Sequence, residues 1–431
     1  MHLIRGLKAA GKESGQLLIL FALLLPLLCL FVGFAIDFGF AFLVRSQIAK
    51  ACDSATLTAI RNYGQGTSQA TTLGSDAFNL NVNPTSSLYV SAPAASLQFT
   101  TDASSDPVCT CTGSAKIHTF FLGLGSLMGI KGHNTLTVAA VSQATRPPVL
   151  LSLVLDKSGS MACCTGGAGA LPGAVSNFIN YFKEGFDQAG EVSFSSIATN
   201  PPDVVMSSTF KTAITNSVNS MSFGGYTFAA DGMTEGLSQI TGVSNPPTNA
   251  QKVVVFFTDG WANTAQEKLP YPGGTLENFG GCAPMEFNLG WCGALHCMNS
   301  TTGNENVNSP TNVATTDTAF TCNGVTKFTP KDTADLGSSP VLLTINNIAK
   351  EADYDTVQVA ESMRSQGITV YSIGLGSVIN QTYLQEVAND PASPQYNSSE
   401  PTGAAVFAPT ADDLQSAFSQ IASKILLRLT Q

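Results

Sequence analysis

Charge is scarce in this chain. Asp, Glu, Lys and Arg make up only 12% of its 431 residues, about half the usual share. The net charge is −10 and no Lys/Arg cluster exists to neutralise phosphates, which argues against nucleic acid as a partner. Histidine is rarer still, with four in the whole chain, so general bases and imidazole metal ligands are in short supply. Three familiar routes to catalysis are missing too: there is no GxxxxGK(S/T) loop, no HExxH and no GxSxG. Each lacks its core residues, and the chain is not expected to be an enzyme. His118 and His133 read as structural or surface residues.

What replaces the charge is apolar and small polar. Hydrophobic residues reach 44%, and Ser, Thr, Asn, Gln and Gly fill the rest, a balance that suits an exported protein rich in β-structure. The length calls for two or three domains. One run settles the compartment to first order. Leu17 to Ala35 (LLILFALLLPLLCLFVGFA) is apolar throughout, and at about 1.5 Å per residue it nearly crosses a hydrocarbon layer of about 30 Å. No small-x-small cleavage site follows it, so an uncleaved single-pass anchor is expected. Arg5, Lys8 and Lys12 precede it and Arg45 and Lys50 follow, a modest bias that places residues 1–16 in the cytoplasm and the bulk of the chain outside. Ten cysteines are then interpretable as disulfide formers.

Helical character continues beyond the anchor. Asp37 to Tyr63 has no Pro and repeats small or apolar residues every third or fourth position, which predicts one long helix over 17–63. Asp37, at the end of the apolar run, reads as an interfacial carboxylate or, more sharply, as a polar contact to another membrane helix. Residues 64–146 look like a small β-rich domain. LYVSA, SLQFTT and HNTLTVAAVSQAT read as short strands, and KIHTFFLGLGSLMG as a short apolar helix. Arg146-Pro147-Pro148 marks a boundary. From there strands (VLLSLVLD, GEVSFSSI, VVMSS, KVVVFFTDG, ITVYSIGLG) alternate with helices near 171–186, 209–221, 353–366 and 411–428. Continuous apolar strands between helices predict an α/β domain over 147–431 with a parallel sheet covered on both faces. The pattern lapses at about 261–340, an insertion holding Cys282, Cys292, Cys297 and Cys322. Two disulfides, in any of three pairings, would staple it. A zinc site using His296 is the other reading of the Cys292-x4-Cys297 spacing.

Ligands of such sheets sit beyond the carboxyl ends of strands, and three turns there carry oxygen donors. They are Asp156-x-Ser158-x-Ser160, Thr227 in GGYT, and Asp259 in TDG. Two carboxylates and three hydroxyls converging on one point would cage a hard cation such as Mg²⁺, with Mn²⁺ or Ca²⁺ as alternatives. Capping of a following helix is the competing reason for Ser and Asp at a turn. The arrangement resembles the von Willebrand factor A domain with its metal-ion-dependent adhesion site (MIDAS), over roughly 149–431. All five positions, Asp156, Ser158, Ser160, Thr227 and Asp259, match. The resemblance implies a Rossmann-like fold and a cation that leaves one position open for a partner's carboxylate oxygen. Two features depart from the family pattern, the cysteine-bearing insertion and the Cys163-Cys164 pair just past the site.

The N-terminus carries a second resemblance. Gly15-Gln16 before the anchor, Leu25-Pro26 within it, Asp37-x-Gly39 at its outer end, then RSQ and DSATLTA look like the start of TadG-like proteins of the bacterial Tad (Flp) pilus system. SKILLRLTQ at the C-terminus is similar to how such proteins finish. This implies a pilin-like α+β region after the anchor and an inner-membrane protein, periplasmic in its bulk, that assembles or anchors a pilus with other pilus components as partners. A cell-surface adhesin that engages host or matrix ligands through the same metal is the alternative.

Overall fold

A computed structural model describes residues 13–82, 90–121, 134–260, 262–265, 269–271, 274–276, 278–280, 296–298, 326–377 and 379–426. Residues up to Asn62 together with Gly66–Thr145 form one compact unit, and Tyr63–Gln65 with Arg146 onward form a second.

The first unit is built on one helix, α1 (Glu13–Arg61), which runs through the apolar segment without a break. Among the described residues it is the one helix long and apolar enough to cross a membrane. After α2 (Thr67–Asn81) come β1 (Val90–Thr101), β2 (Pro107–His118) and β3 (Thr135–Thr145), an antiparallel sheet in the order β1-β2-β3. Ala41, Val44, Ile48, Ala51, Cys52 and Ala55 on α1 repeat at helical spacing and bury against Cys111, Ala115, Ile117, Val138 and Ala140 of the sheet. A Cβ on Gly113 would lie 2.8 Å from both Cys52 Sγ and Ile48 Cγ2, so glycine there lets helix and sheet touch. A disulfide joins Cys52 to Cys111.

Several expectations for this unit need correction. LYVSA and SLQFTT belong to a single strand whose register shifts between Ser91 and Ala94, around Pro93, which has no N–H for the ladder. Strand β2 and helix α2 were not anticipated. The buried positions of β2 are Pro107, Cys109, Cys111, Gly113, Ala115 and Ile117, too poor in large apolar residues to announce a strand. Lys116–His118 continue β2 rather than opening a helix, and residues 122–133 of that expected helix lie outside the described residues.

The second unit carries β4 (Val149–Asp156), α3 (Gly159–Cys163), α4 (Gly167–Ile179), β5 (Gln188–Phe194), β6 (Val204–Ser207), α5 (Lys211–Ser220), α6 (Ala229–Thr241) and β7 (Gln251–Thr258). Short strands follow: β8 (Thr264–Ala265), β9 (Leu269–Tyr271), β10 (Gly274–Leu276), β11 (Asn278–Gly280), β12 (His296–Met298), β13 (Lys327–Phe328) and β14 (Val341–Leu342). The regular pattern resumes with α7 (Ile345–Ser365), β15 (Thr369–Leu375), α8 (Gln381–Ala388), β16 (Ala404–Ala408) and α9 (Leu414–Leu426).

The main sheet has the order β16-β15-β7-β4-β5-β6. Its pairs are parallel except that β6 runs antiparallel to β5 at the edge. All eight residues of β4 are buried. Leu151, Leu153 and Leu155 enter a core with Phe178, Ile214 and Phe418, while Leu150 and Val154 enter another with Met233, Ile348 and Leu384. Both faces of the sheet are therefore covered, as its continuous apolar strands require.

The helix expected near 171–186 ends at Ile179, and the one expected near 353 begins at Ile345, where Thr344 caps it by accepting from Asn347 N. The elements α6, α8 and β16 are additions to the expected order. Strands β8 to β14 pair within the expected patternless insertion. Cys282, Cys292 and Cys322 lie outside the described residues, as does the side chain of Cys297, so the pairing or zinc reading for them falls there too.

Candidate metal centre

Strands β4 and β7 are neighbours, so the turns after Asp156 and Thr258 lie side by side at the carboxyl edge of the sheet. The loop before α6 reaches them through two backbone hydrogen bonds, Gly159 N to Gly225 O at 3.1 Å and Gly224 N to Lys157 O at 2.8 Å. Gly225 has φ +86, a conformation that favours glycine. These contacts bring together all three turns picked out in the sequence.

Asp156 is fully buried, and Ser158, Asp259 and Thr227 are 1%, 2% and 4% exposed. Asp156 Oδ1 accepts from Ser158 N and its Oδ2 from Thr258 Oγ1, both at 2.7 Å. Ser158 and Ser160 share a hydroxyl contact at 3.0 Å. Ser160 Oγ donates to Asp259 Oδ1 at 2.6 Å, and Thr165 Oγ1 donates to Asp259 Oδ2 at 2.7 Å. The Thr227 backbone is fixed by donating its N–H to Asn263 Oδ1 at 2.7 Å, while Asn263 N donates back to Thr227 O.

Capping does not account for the Ser158 hydroxyl. Ser158 stands at the N-cap of α3, but its side chain makes no capping hydrogen bond. Its hydroxyl turns instead toward Ser160.

Burial, reinforced by the neighbouring Asp156 carboxylate, pushes the Asp259 carboxyl up to about 7, although Ser160 and Thr165 oppose the shift. Burial raises Asp156 as well, against hydrogen bonds from Ser158 and Thr258. Two carboxyl groups held together out of water, amid hydroxyls, are a high-energy arrangement that a divalent cation would relieve. Among the described residues no group of three His, Cys, Asp or Glu side chains could hold a metal. The groups shown together are the two carboxyls and the hydroxyls of Ser158, Ser160, Thr165 and Thr258, oxygen donors of the kind a hard cation takes, while Thr227 joins them through its backbone.

Thr165, Thr258 and Asn263 were not among the expected site residues. Thr258 was legible as the first residue of TDG. Nothing in the local sequence flags Thr165 or Asn263, because their roles arise only when distant turns meet.

Comparison with known proteins fits this arrangement. Residues 15–62 match the Flp pilus-assembly TadE/G-like family, and residues 151–272 match the von Willebrand factor type A domain. The first match falls on α1, and the second begins in β4 and takes in the three turns of the candidate site. No curated protein matches it. Solved structures similar to it include the pilus adhesin SpaC from Lactobacillus rhamnosus GG, at 15% identity and TM-score 0.41, over 78% of this chain and 35% of that one. Another is the vWF domain of the type V pili tip protein Mfa5 from Porphyromonas gingivalis, at 15% identity and TM-score 0.40, over 66% of this chain and 97% of that one. A third is proximal thread matrix protein 1 from the mussel byssus with a zinc-occupied MIDAS motif, at 13% identity and TM-score 0.35, over 65% of this chain and 46% of that one. The chain thus spans about a third of the adhesin's length and under half of the byssus protein's.

Proposed function

We propose that this chain is a membrane-anchored, metal-dependent protein-binding component of Tad/Flp pilus assembly or anchoring. In this reading α1 spans the bacterial inner membrane with its N-terminus in the cytoplasm, and the type A domain works outside as a binding module rather than an enzyme. The observation that carries it is the burial of Asp156 and Asp259 side by side, with only hydroxyl and backbone donors around them.

Asp156, Ser158, Ser160, Thr227 and Asp259 would hold the ion, Mg²⁺ for preference, with Mn²⁺ or Ca²⁺ as substitutes. A bound ion supplies a Lewis-acidic position open to a partner's carboxylate oxygen. The chain's own residues do the rest. Asp156 and Asp259 set the charge, Thr258 and Thr165 fix their orientation, and Asn263 fixes the loop that presents Thr227.

Pull-down of pilus components from detergent-solubilised membranes tests this reading. Capture should fail when divalent ions are chelated, return when Mg²⁺ is restored, and fail in Asp156→Ala without chelator. Metal loss with capture of every pilus component intact would remove the partner role.

A further inference from the structure

The loop that leaves β2 returns to α1 at the point where its apolar run ends. Phe120 N donates to Asp37 Oδ1 at 2.8 Å, and Phe121 N donates to Asp37 Oδ2 at 2.9 Å. Asp37 is 2% exposed, and both of its carboxyl oxygens accept from N–H groups of its own chain. Asp37 thus stands at the end of the apolar run, as expected of an interfacial carboxylate, with backbone N–H groups of its own chain as partners. The loop also goes deeper than Asp37. A Cβ built on Gly33 would collide with the Phe121 ring. Gly33 lies about one turn, some 6 Å, further into the apolar segment. The Phe120 ring packs edge-on against Phe40 with centroids 6.5 Å apart.

We propose that Phe120 and Phe121 form a second contact with the lipid bilayer, an aromatic wedge seated in its interfacial layer beside α1 and held there by Asp37. The proposal rests on the reading of α1 as the membrane span and adds a lipid-facing site outside it. Three arguments support it. Backbone N–H groups brought toward hydrocarbon must find an acceptor, and Asp37 supplies both of its oxygens to consecutive ones. Phe is among the side chains that seat an apolar face at the headgroup–acyl boundary, and Phe120 and Phe121 remain 43% and 38% exposed. Phe121 lies against Gly33, and Phe31, Val32, Ile36 and Phe38 in that same stretch of α1 are exposed too, so lipid around the span is the occupant common to all of them.

The test uses the full chain in phosphatidylcholine vesicles, with Trp261→Phe and Trp291→Phe removing the two native tryptophans. Single reporters are then placed as Phe121→Trp, Phe31→Trp and Ser104→Trp, the last in the exposed β1–β2 turn. Bromine on the upper acyl chains should quench Phe121→Trp at least half as strongly as Phe31→Trp, and leave Ser104→Trp untouched. Adding Asp37→Ala should at least halve the quenching at position 121 and leave position 31 unchanged. Acrylamide quenching of Phe121→Trp equal to that of Ser104→Trp, with Phe31→Trp still quenched by lipid, would overturn the wedge alone. Protection of position 121 from both quenchers would overturn it in favour of a protein cover. Phe31→Trp untouched by brominated lipid would overturn the membrane span and the wedge together. Unchanged quenching in Asp37→Ala would overturn the holding role of Asp37.

Discussion

Ser160 Oγ donates to Asp259 Oδ1 at 2.6 Å, so the turn after β4 and the turn after β7 are joined through two residues that would share one ion. Thr165 holds the other oxygen of the same carboxyl. Removing a charged ligand and removing its support should therefore differ in degree. Asp156→Ala and Asp259→Ala should take Mg²⁺ binding out of the measurable range of titration calorimetry. Thr165→Val, which keeps the volume and deletes the hydroxyl, should weaken it by about 10–100-fold. Equal affinities for Thr165→Val and the unaltered protein would show that Asp259 needs no such support.

The raised carboxyls make the site pH-sensitive, and the sign follows from linkage. With its folded-state value near 7 and an unfolded value of about 3.9, Asp259 binds its proton more tightly in the native protein. The contribution of Asp259 to the stability of the ion-free protein is thus fully present below about pH 3.9 and is lost as pH rises through about 7. Ion binding requires the deprotonated groups and strengthens over the same window. The rise in Tm produced by Mg²⁺ should be larger near pH 8 than near pH 5.5, as read by scanning calorimetry. A gain independent of pH would mean that Asp259 is already ionised when the ion arrives.

Cys163 and Cys164 form a disulfide between sequence neighbours, in the segment between Ser160 and Thr165 that grips both Asp259 oxygens. The bond closes a small ring through the intervening peptide and stiffens this clasp. Cys163 is exposed, which leaves the bond open to exchange with an external dithiol. Reduction, or Cys163→Ser with Cys164→Ser, should lower Mg²⁺ affinity by about tenfold through loss of that positioning. Mass spectrometry would report the redox state beside calorimetry. Unchanged affinity with the bond open would separate the ring from the site.

Much of this candidate site was legible because its residues stand at the ends of strands that advertise themselves. VLLSLVLD and KVVVFFTDG are continuous apolar runs, and the polar residues that end them cannot be buried without a purpose. Elements built from small residues were silent. Helix α6 contains Gly232 and Gly236, which weaken any helical signal, yet both are there to let the helix approach the sheet. A Cβ on Gly232 would lie 2.6 Å from the Phe194 ring, and one on Gly236 would lie 2.5 Å from Val154. Strand β2 is hidden for a related reason, since Gly113 and Ala115 serve close packing against α1. Thr165 and Asn263 act across 94 and 36 residues of sequence, and no local pattern encodes such pairings.

Arg146, expected only as part of a boundary, is 1% exposed and meets both oxygens of Asp187 at 3.0 and 2.7 Å. The same carboxylate accepts from Val149 N and Lys183 N, so it fixes the entry to β4 as well as the ion pair. Arg146→Met would leave that carboxylate buried without its cation and should destabilise the domain by about 3–5 kcal/mol. Asp187→Ala should cost more, because two backbone N–H groups lose their acceptor too. Urea denaturation of the two variants orders them, and a milder Asp187→Ala would contradict this account.

Glu191 is the clearest case of a group held against its own chemistry. It sits on β5, fully buried, and neither carboxyl oxygen has a hydrogen-bond partner. Burial pushes its pKa up to about 8, the Asp203 carboxylate adds to the rise, and Ser217 and Lys157 offset only part of it. The native protein therefore keeps Glu191 protonated at neutral pH, whereas the unfolded chain releases the proton from about pH 4.3 upward. Stability tied to this residue is fully present below the unfolded value and declines until pH passes about 8, a loss on the order of 5 kcal/mol at about 1.4 kcal/mol per unit. Glu191→Gln copies the neutral form and has no proton to lose. It should match the unaltered protein near pH 4 and exceed it in urea denaturation above about pH 8. A constant difference between the two proteins across that range would mean that the folded domain ionises Glu191 as readily as the unfolded chain does.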